Sequence, residues 1–341
     1  MSSILPEDRV FVVAEAGVAA LGDVELAKQQ IDTAVDARVD AIKFQAWRTE
    51  SLVSRPVAKR LQGELSYDWF ERMRSRELTF DELRELQAYA RERGMPFFAT
   101  PHDDDALAFL AEIDVPMLKV GSGEAANLPF LRRVGAARKP VLIAFGLQSD
   151  DEAKRAVTAL QDAGAPEVIA LHTTSLYPTP PQFASLDRMA RLRDLLGVPV
   201  GLSDHTVGWQ IPLAAVALGA RAIEKHLTFD KADPRSLDNA GALEPDELRE
   251  FTRQVRDVEQ ALRPANAAEL AAALGTSRDW AEQSIVAARD LAAGIVISEK
   301  DVSFKRPGRG GLPPTALDAL LGRTLRRGVA VDEQIVLDDL A

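Results

Sequence analysis

The chain has 341 residues, of which 46% are hydrophobic and 27% charged, so it is long enough for one large globular domain and a small one. Its formal net charge of -11 disfavours binding to nucleic acid or to an anionic membrane surface, because both depend on positive protein surface. The lack of cysteine excludes disulfides and thiolate metal sites, and the lack of a secretory signal or long apolar segment predicts a cytoplasmic protein that does not bind membranes.

Eight short apolar runs alternate with amphipathic segments along the first 263 residues. The runs predicted as strands are residues 10–15, 40–45, 96–100, 116–121, 140–144, 167–172, 198–203 and 221–226. The segments between them carry apolar residues at spacings of three and four, which predicts helices. Strands that are apolar throughout are buried on both faces, as in a parallel sheet covered by helices. Eight such units over about 250 residues predict a (β/α)8 TIM barrel, whose active sites lie at the C-terminal ends of the strands.

The connection after the second predicted strand is unusually long. Residues 46–77 exceed a simple loop and contain Trp47, Tyr67 and Trp69, so we expect a cap over the barrel mouth, with a disordered insertion as the alternative. An open doubly wound sheet is a second possible fold. It is disfavoured because no G-x-G-x-x-G motif follows the first strand.

Polar residues collect where the predicted strands end. All four histidines lie at or just after such ends: His102, His172, His205 and His226. The same junctions hold Glu15, Lys43, Gln45, Thr100, Lys119, Ser122, Glu124, Thr174 and Ser175. Burying unpaired polar groups costs several kcal/mol each, so a functional role explains them better than a structural one. The pattern predicts that one face of the barrel holds the chemistry.

The character of the sequence changes near residue 263. We predict a barrel over residues 1–263, an Ala-rich linker over 264–279 and a small, mainly β domain over 280–341. The segment RPGRGGLPP, which begins at Arg306, is predicted to be a loop because its prolines and glycines suit neither helix nor regular strand.

Seven segments together resemble the sialic acid synthase (NeuB) family. They occur in the family's order: AEAGVAALGDVELAKQQIDTAVDARVDAIKFQ, FFATPHD, LKVGSGEAANLPFL, LHTTSLYPTP, GLSDHTVGW, AIEKHLTFD and RPGRGGLPP. The combination of SDHT and EKHLT on consecutive strands with YPTP and RPG-x-G-L is the specific part, and the resemblance covers essentially the whole chain. It implies a barrel followed by an antifreeze-like (SAF) domain, in a domain-swapped homodimer whose SAF domain reaches over the partner's active site.

The resemblance also implies a reaction of the EC 2.5.1 type. Phosphoenolpyruvate would condense with an open-chain N-acylated amino sugar or a related aldehyde, giving a nonulosonic (sialic-acid-like) 2-keto acid and phosphate. His205 and His226 would ligate a divalent metal, with manganese expected first and magnesium or cobalt as alternatives. Considered alone, each histidine could instead be a hydrogen-bonded structural residue.

Further roles carry over from the family by position. Glu15 and Glu124 would act near the reacting carbons, together with the two histidines. Phosphoenolpyruvate would be held by Lys43, Thr100, Lys119, Ser122 and Ser203. The acceptor would contact Gln45, Ser175, Tyr177, Asp238 and an arginine donated by the partner's SAF domain, which matches Arg306.

The chain departs from the family pattern at four places. Residues 17–22 read GVAALG where the family has G-x-N-H-x-G, and Ala144-Phe145 stands for Ser-Thr. Ser175 replaces a common asparagine, and DNAGALEP at 238–245 stands for D-H-x-A-S-L-x-P. Each lost hydrogen bond costs about 0.5 to 1.5 kcal/mol. We therefore expect the metal and donor sites to persist while the acceptor differs from N-acetylmannosamine.

Three alternatives remain open at the sequence level. A barrel aldolase or lyase could use a related keto acid without phosphate, which the Ala144-Phe145 change favours. A Schiff-base mechanism could use Lys43, Lys119 or Lys225. An inactive, carbohydrate-binding NeuB homologue is also compatible with the departures, although the retained acidic, basic and imidazole groups argue against it.

Overall fold

A computed structural model describes residues 3–62 and 68–341 of the chain. The chain divides into two compact units, Met1–Leu262 and Arg263–Ala341. Within the described ranges, no helix combines the length and apolar character needed to cross a bilayer.

The first unit is a closed barrel of eight parallel strands in sequential order, which confirms the predicted fold. The strands are β1 (Phe11–Gly17), β2 (Ala41–Ala46), β3 (Phe97–Pro101), β4 (Leu118–Val120), β5 (Val141–Phe145), β6 (Val168–His172), β7 (Val200–Asp204) and β8 (Ala222–His226). Each strand lies within one of the predicted runs or shifted from it by one or two residues. The fourth is shorter than its predicted run, 116–121, because only three of those residues form the ladder.

Helices surround the barrel strands. They are α1 (Val24–Asp36), α2 (Thr49–Leu52), α3 (Arg55–Leu61), α4 (Trp69–Arg74), α5 (Phe80–Glu92), α6 (Asp104–Glu112), α7 (Leu128–Ala136), α8 (Asp150–Ala163), α9 (Asp187–Leu196), α10 (Gln210–Ala217) and α11 (Pro245–Leu262). Local sequence explains several ends. Helix α8 begins with a capping box between Ser149 and Glu152, which satisfies backbone donors that the first turn leaves free, and it ends at Gly164.

The core lies on both sides of the strand ladder. Every residue of β5 is buried, as expected for a parallel strand covered by helices. From the outside, Ile31 of α1, Leu86 of α5 and Leu160 of α8 are fully excluded from solvent. Burial of each such side chain contributes roughly 1.5 to 3 kcal/mol, so this shell holds the strand ends in fixed positions.

The long connection after β2 is folded wherever it is described. It contains α2, α3 and α4, and Val53, Ala58 and Phe70 form a small apolar cluster there. Trp47 is 2% exposed, and its indole N–H donates to the Thr49 hydroxyl at 3.3 Å. The disordered alternative is therefore wrong for this part of the connection. Tyr67, which contributed to the prediction of a cap, lies outside the described residues.

The second unit has its own small core. It contains helix α12 (Ala267–Ala281), the antiparallel pair β9 (Ser284–Ala287) and β10 (Val302–Lys305), and the short helix α13 (Leu317–Leu320). Ile285, Leu325 and Ile335 are at most 1% exposed in its apolar cluster. Helix α12 occupies most of the segment predicted as a linker and buries none of its side chains.

Candidate active site

A cavity of about 410 Å³ opens at the C-terminal ends of the barrel strands. Every site residue predicted within the barrel lines it: Glu15, Lys43, Gln45, Thr100, Lys119, Ser122, Glu124, Ser175, Tyr177, Ser203, His205, His226 and Asp238. Their chemical roles remain predictions, but their convergence follows from the fold. Neighbouring parallel strands align Glu15 with Lys43 and with His226, so these side chains project into the barrel at one level.

Two lysines and two glutamates form an ion cluster at the floor of the cavity. Lys43 Nζ lies 3.0 Å from Glu15 Oε2 and 3.5 Å from Glu224 Oε1. Lys119 Nζ lies 3.3 Å from the same oxygen of Glu224. All four side chains are at most 4% exposed, so the charges face one another and the cavity rather than bulk water.

Hydroxyl and amide groups complete this cluster. Lys43 Nζ donates to Thr100 Oγ1 at 3.1 Å, and Ser203 Oγ donates to Glu224 Oε1 at 2.9 Å. Gln45 Nε2 donates to Glu15 Oε1 at 2.8 Å. The second oxygen of Glu224 is buried and accepts no hydrogen bond from the described residues. The cluster is therefore held in place yet incompletely satisfied.

Burial and neighbouring charges set the protonation of the cluster. Burial opposes ionisation of Glu224, but Lys119 and Lys43 outweigh it and lower its pKa to about 2. Burial lowers the pKa of Lys119. Burial disfavours the ammonium form of Lys43, but the Glu15 and Glu224 carboxylates raise its pKa overall. Burial, reinforced by Glu224, raises the pKa of Glu15 despite the opposing charge of Lys43.

His205 and His226 come together on the neighbouring strand ends of β7 and β8. Their ring centroids are 5.3 Å apart, and the Tyr177 ring lies 4.1 Å from that of His205. His205 Nδ1 donates to the Thr174 carbonyl at 2.9 Å, which leaves its Nε2 with a free lone pair. Burial lowers the pKa of His205 to about 4 and also lowers that of His226. Both rings are therefore neutral near pH 7, which is the form that binds metals.

This donor set fits a cation bound by few protein ligands. The Asp238 carboxylate lies 3.7 Å from His226 Nδ1, where it can orient the ring. In the ranges 3–62 and 68–341, no cluster of three or more His, Asp and Glu side chains is arranged as a metal site. Two imidazoles would leave the remaining coordination positions to water and substrate oxygens.

The loop after β5 approaches Ser122 closely. Gly146 N donates to Ser122 Oγ at 2.8 Å, and Ser122 Oγ donates to the Ala144 carbonyl at 3.3 Å. A Cβ atom at Gly146 would lie 2.2 Å from Ser175 Oγ, so only glycine fits there. Ala144, where the family has a hydroxyl residue, lines the cavity beside these groups.

Apolar side chains form much of the rest of the cavity mouth. Val18 follows β1, Met73 belongs to α4, Leu147 follows β5 and Leu237 lies in the loop after β8. Met73 brings the long β2 connection to the mouth, as the predicted cap requires. Val18 and Leu237 lie in or beside two of the segments that depart from the family pattern.

One of the four histidines does not join the site. His172 ends β6, but its ring packs on the outer side of the strand, where Nε2 donates to the Ala184 carbonyl at 2.6 Å. It is 2% exposed and absent from the cavity lining. The expectation that all four histidines serve one face is wrong for His172, because its neighbour Thr173 takes the inward position.

Arg306 belongs to the second unit. Its side chain is exposed at the start of the RPGRGGLPP loop. The Pro307 carbonyl in this loop accepts hydrogen bonds from Ser284 Oγ at 2.9 Å and from Gln334 Nε2 at 2.8 Å. The loop is therefore fixed at its root, with Arg306 projecting from it.

Sequence reasoning missed two groups of the cavity as site residues. Glu224 connects the two lysines, and it could have been found by stepping back two positions from His226 along the same strand face. His102 pairs with Glu124, its Nδ1 lying 3.0 Å from Glu124 Oε1. The sequence marked His102 as a strand-end residue but gave no signal for its partner.

Comparison with known proteins gives matches to both units. Residues 30–266 match the NeuB family, and residues 282–341 match the SAF domain. The chain is 34% identical to an uncharacterized protein of Methanocaldococcus jannaschii over 97% of this chain and 94% of that protein. It is 31% identical to the N,N'-diacetyllegionaminic acid synthase of Legionella pneumophila over the same shares of the two chains.

A solved structure gives a similar result. The N-acetylneuraminic acid (sialic acid) synthetase of Leptospira borgpetersenii, crystallised with citrate, superimposes with a TM-score of 0.68 at 31% identity. The match covers 79% of this chain and 92% of that chain. Relatives named for two different sugar acids thus have the same identity to this chain, so overall identity does not select an acceptor.

Proposed function

The chain belongs to the NeuB family, and we propose that it condenses phosphoenolpyruvate with an open-chain N-acyl amino sugar to give a nonulosonic 2-keto acid and phosphate. The observation that carries this proposal is the juxtaposition of Lys43 and Lys119 with the neutral pair His205 and His226 in one cavity. The lysines suit an anionic donor, and the imidazoles suit a cation that activates an aldehyde.

The lysine cluster is the proposed binding site for phosphoenolpyruvate. An ammonium group in a site of low dielectric binds phosphate or carboxylate strongly because little water competes for it. Thr100, Ser122 and Ser203 add small hydroxyls that let the anion approach closely. Before binding, Glu15 and Glu224 neutralise the lysines at distances of 3.0 to 3.5 Å, so the positive charge is positioned in advance.

His205 and His226 would hold the divalent cation, with manganese as the first expectation. When bound, the cation would supply Lewis acidity toward the aldehyde oxygen of the acceptor. The hydrogen bond from His205 Nδ1 to the Thr174 carbonyl supports this assignment because it fixes the tautomer that directs Nε2 to a ligand.

The reaction proceeds in two bond-forming steps. C3 of phosphoenolpyruvate attacks the aldehyde carbon, and the aldehyde oxygen takes up a proton to become a hydroxyl. Water then adds to the cationic C2 and loses one proton, which gives a C2 hydroxyl. The bond between C2 and the phosphate oxygen then breaks, phosphate leaves with the electron pair, and the C2 hydroxyl loses its proton to give the ketone. Glu15, whose pKa is raised by burial, is the proposed group that exchanges a proton with this water.

The acceptor is proposed to lie above the lysine cluster, against Gln45, Glu124, Ser175, Tyr177 and Asp238. The apolar side chains of Val18 and Leu237 line the same cavity, which supports an acceptor other than N-acetylmannosamine. The proposal includes a domain-swapped homodimer in which the partner subunit's Arg306 contacts the acceptor. The exposure of Arg306 on an anchored loop is compatible with that role.

The test is phosphate release from phosphoenolpyruvate with manganese and a panel of N-acyl amino sugars, with the products identified by mass spectrometry. We expect acceptor-dependent phosphate release that chelators abolish and that manganese restores. Efficient formation of N-acetylneuraminate would refute the acceptor assignment. If no acceptor in the panel causes phosphate release from phosphoenolpyruvate, the assignment of phosphoenolpyruvate as the donor would be refuted. Light scattering tests the oligomeric state, and we expect the mass of a dimer. An Arg306→Ala variant tests the contact with the acceptor. We expect it to raise the KM for the acceptor and to leave the KM for phosphoenolpyruvate unchanged.

A second candidate is an aldolase or lyase that uses a keto acid without phosphate. Ala144 favours it, because this residue adds no hydroxyl of its own to the cavity lining near Ser122. Pyruvate would then replace phosphoenolpyruvate as the donor. Product formation from pyruvate without phosphate would select this candidate.

A further inference from the structure

His102 is a cavity residue to which the proposed reaction gives no role. It follows β3, and its ring is held on two sides. Glu124 Oε1 lies 3.0 Å from Nδ1, and the Trp47 ring meets the imidazole edge-on with centroids 6.1 Å apart at 75°. The His102 and Glu124 side chains are 17% and 16% exposed. Two neighbours therefore fix a largely enclosed ring in one orientation.

The fixed ring has one nitrogen left over. The Glu124 carboxylate can only accept, so the hydrogen bond places a proton on His102 Nδ1 and leaves a lone pair on Nε2. Within the described residues Nε2 makes no hydrogen bond, and the side chain lines the cavity. His172 differs, because its spare nitrogen is buried away from the cavity with no partner among the described residues.

The charge around His102 selects the kind of ligand. The second oxygen of Glu124 is buried without a hydrogen-bond partner in the described part of the chain, so the carboxylate charge is poorly compensated. A Cβ atom at Gly121 would lie 2.9 Å from this oxygen, so glycine makes room for the carboxylate. An uncompensated carboxylate repels phosphate, whereas an acceptor lone pair beside it favours a ligand that donates an O–H or N–H.

We infer that His102 binds the acceptor sugar, with Nε2 accepting a hydrogen bond from one of its hydroxyl or amide N–H groups. This inference rests on the proposed function and deepens it. Val18, Leu147 and Leu237 make other parts of the mouth apolar, so each remaining polar group contributes more to the orientation of the acceptor. Trp47 acts as a positioning residue, and Glu124 orients the imidazole in addition to its proposed contact with the acceptor, so the ring is held ready before the acceptor enters.

The test compares two substitutions of His102. His102→Phe keeps a ring against Trp47 but removes the lone pair, whereas His102→Gln keeps an acceptor oxygen. With phosphate release as the assay and the best acceptor of the panel, we expect His102→Phe to raise the KM for the acceptor tenfold or more. We expect the KM for phosphoenolpyruvate to stay within twofold and His102→Gln to recover most of the loss. Unchanged acceptor KM in His102→Phe would overturn the inference, as would equal rises for both substrates.

His172→Phe is the matched control, because this ring lies outside the cavity. It should lower the melting temperature without changing either KM.

A second measurement separates this inference from the reaction itself. The thermal shift that panel sugars other than N-acetylmannosamine produce on the phosphoenolpyruvate complex needs no turnover. Loss of this shift in His102→Phe and its return in His102→Gln would support the inference even if no phosphate is released. A shift that is equal in all variants, or absent in the wild type, would contradict it.

Discussion

Two buried charge networks lie on opposite faces of strands β7 and β8. The inner network joins Lys43, Lys119, Glu15 and Glu224 inside the barrel, where Ser203 donates to Glu224. The outer network joins Lys225, Asp204 and Thr206 between the barrel and its helices. Both use lysine and carboxylate groups that are almost completely excluded from solvent.

The two networks differ in how completely their groups are paired. Lys225 Nζ lies 2.6 Å from Asp204 Oδ2 and also donates to the Thr206 carbonyl. Asp204 in turn accepts from the Thr206 hydroxyl at 2.9 Å and from its backbone N–H at 3.2 Å. The inner network faces the cavity, and one of its oxygens, on Glu224, accepts no hydrogen bond within residues 3–62 and 68–341. A closed network fixes the chain, whereas an open one remains available to a ligand.

Breaking the outer network should have the largest effect on stability. Lys225→Met leaves Asp204 as a buried charge without its partner, and we expect a loss of about 3 to 5 kcal/mol in the free energy of unfolding. Denaturant unfolding at pH 7 measures it. The double variant Lys225→Met/Asp204→Leu is the control and should recover most of the loss. A single variant within 1 kcal/mol of the wild type would mean that the outer pair does not stabilise the strand ends.

Breaking the inner network should affect activity rather than folding. Lys119→Met removes one positive group that faces the donor, and we expect kcat/KM for phosphoenolpyruvate to fall by about 10²- to 10³-fold. The melting temperature should stay the same or rise, because burial already disfavours the charged form of Lys119. Steady-state phosphate release and thermal unfolding measure the two effects. If Lys119→Met lost stability while kcat/KM stayed unchanged, the inner network would serve folding rather than activity, contrary to this prediction.

His172 is a buried histidine on the outer side of the barrel, so its effect on stability can be compared with that of the outer charge network. Burial lowers its pKa, so below the unfolded value of about 6.5 the unfolded state binds more protons than the folded state. The stability that this group contributes is complete above about pH 6.5 and is lost as the pH falls, by at most about 1.4 kcal/mol per pH unit. Unfolding of the wild type and His172→Asn between pH 7 and 5 measures the difference. Parallel pH curves for the two proteins would contradict this origin of acid sensitivity.

The smallest predicted effect concerns the donor side of the inner site. Ala144→Ser adds a hydroxyl beside Ser122, and one extra hydrogen bond of about 0.5 to 1.5 kcal/mol should lower the KM for phosphoenolpyruvate by about two- to tenfold. The control is Ala170→Ser, a buried position on β6 outside the cavity lining, which should cost stability and leave the KM unchanged. An unchanged KM in Ala144→Ser would show that the missing hydroxyl does not limit donor binding.

Much of the fold and the site was predictable because both depend on periodicity. The eight strands follow from short apolar runs, and Lys43, His205 and His226 were found because polar groups at strand ends of a barrel converge on one rim. Ser203 followed from the family resemblance and lines the same cavity. The resemblance was needed to assign roles, since position alone does not distinguish a donor ligand from an acceptor ligand.

The remaining features depend on which face of a strand a residue occupies and on what lies across the barrel. His172 and His226 both end strands, yet one packs outside and the other lines the cavity. Glu224 and Lys225 are adjacent in sequence but belong to different networks. A shift of one residue in a strand exchanges inward and outward positions, and the sequence defines strand ends less sharply than that.

The sequence by itself determined the barrel, the small second domain and most of the polar residues at the strand ends, because apolar periodicity and strand-end polarity are local properties of the chain. Only the tertiary structure decided which polar side chains pair. Lys119 contacts Glu224 and His102 contacts Glu124 through side chains from different strands or from the segments that follow them. These contacts depend on distances of a few ångströms across a closed ring, and such distances are set by packing of the whole barrel rather than by any one segment.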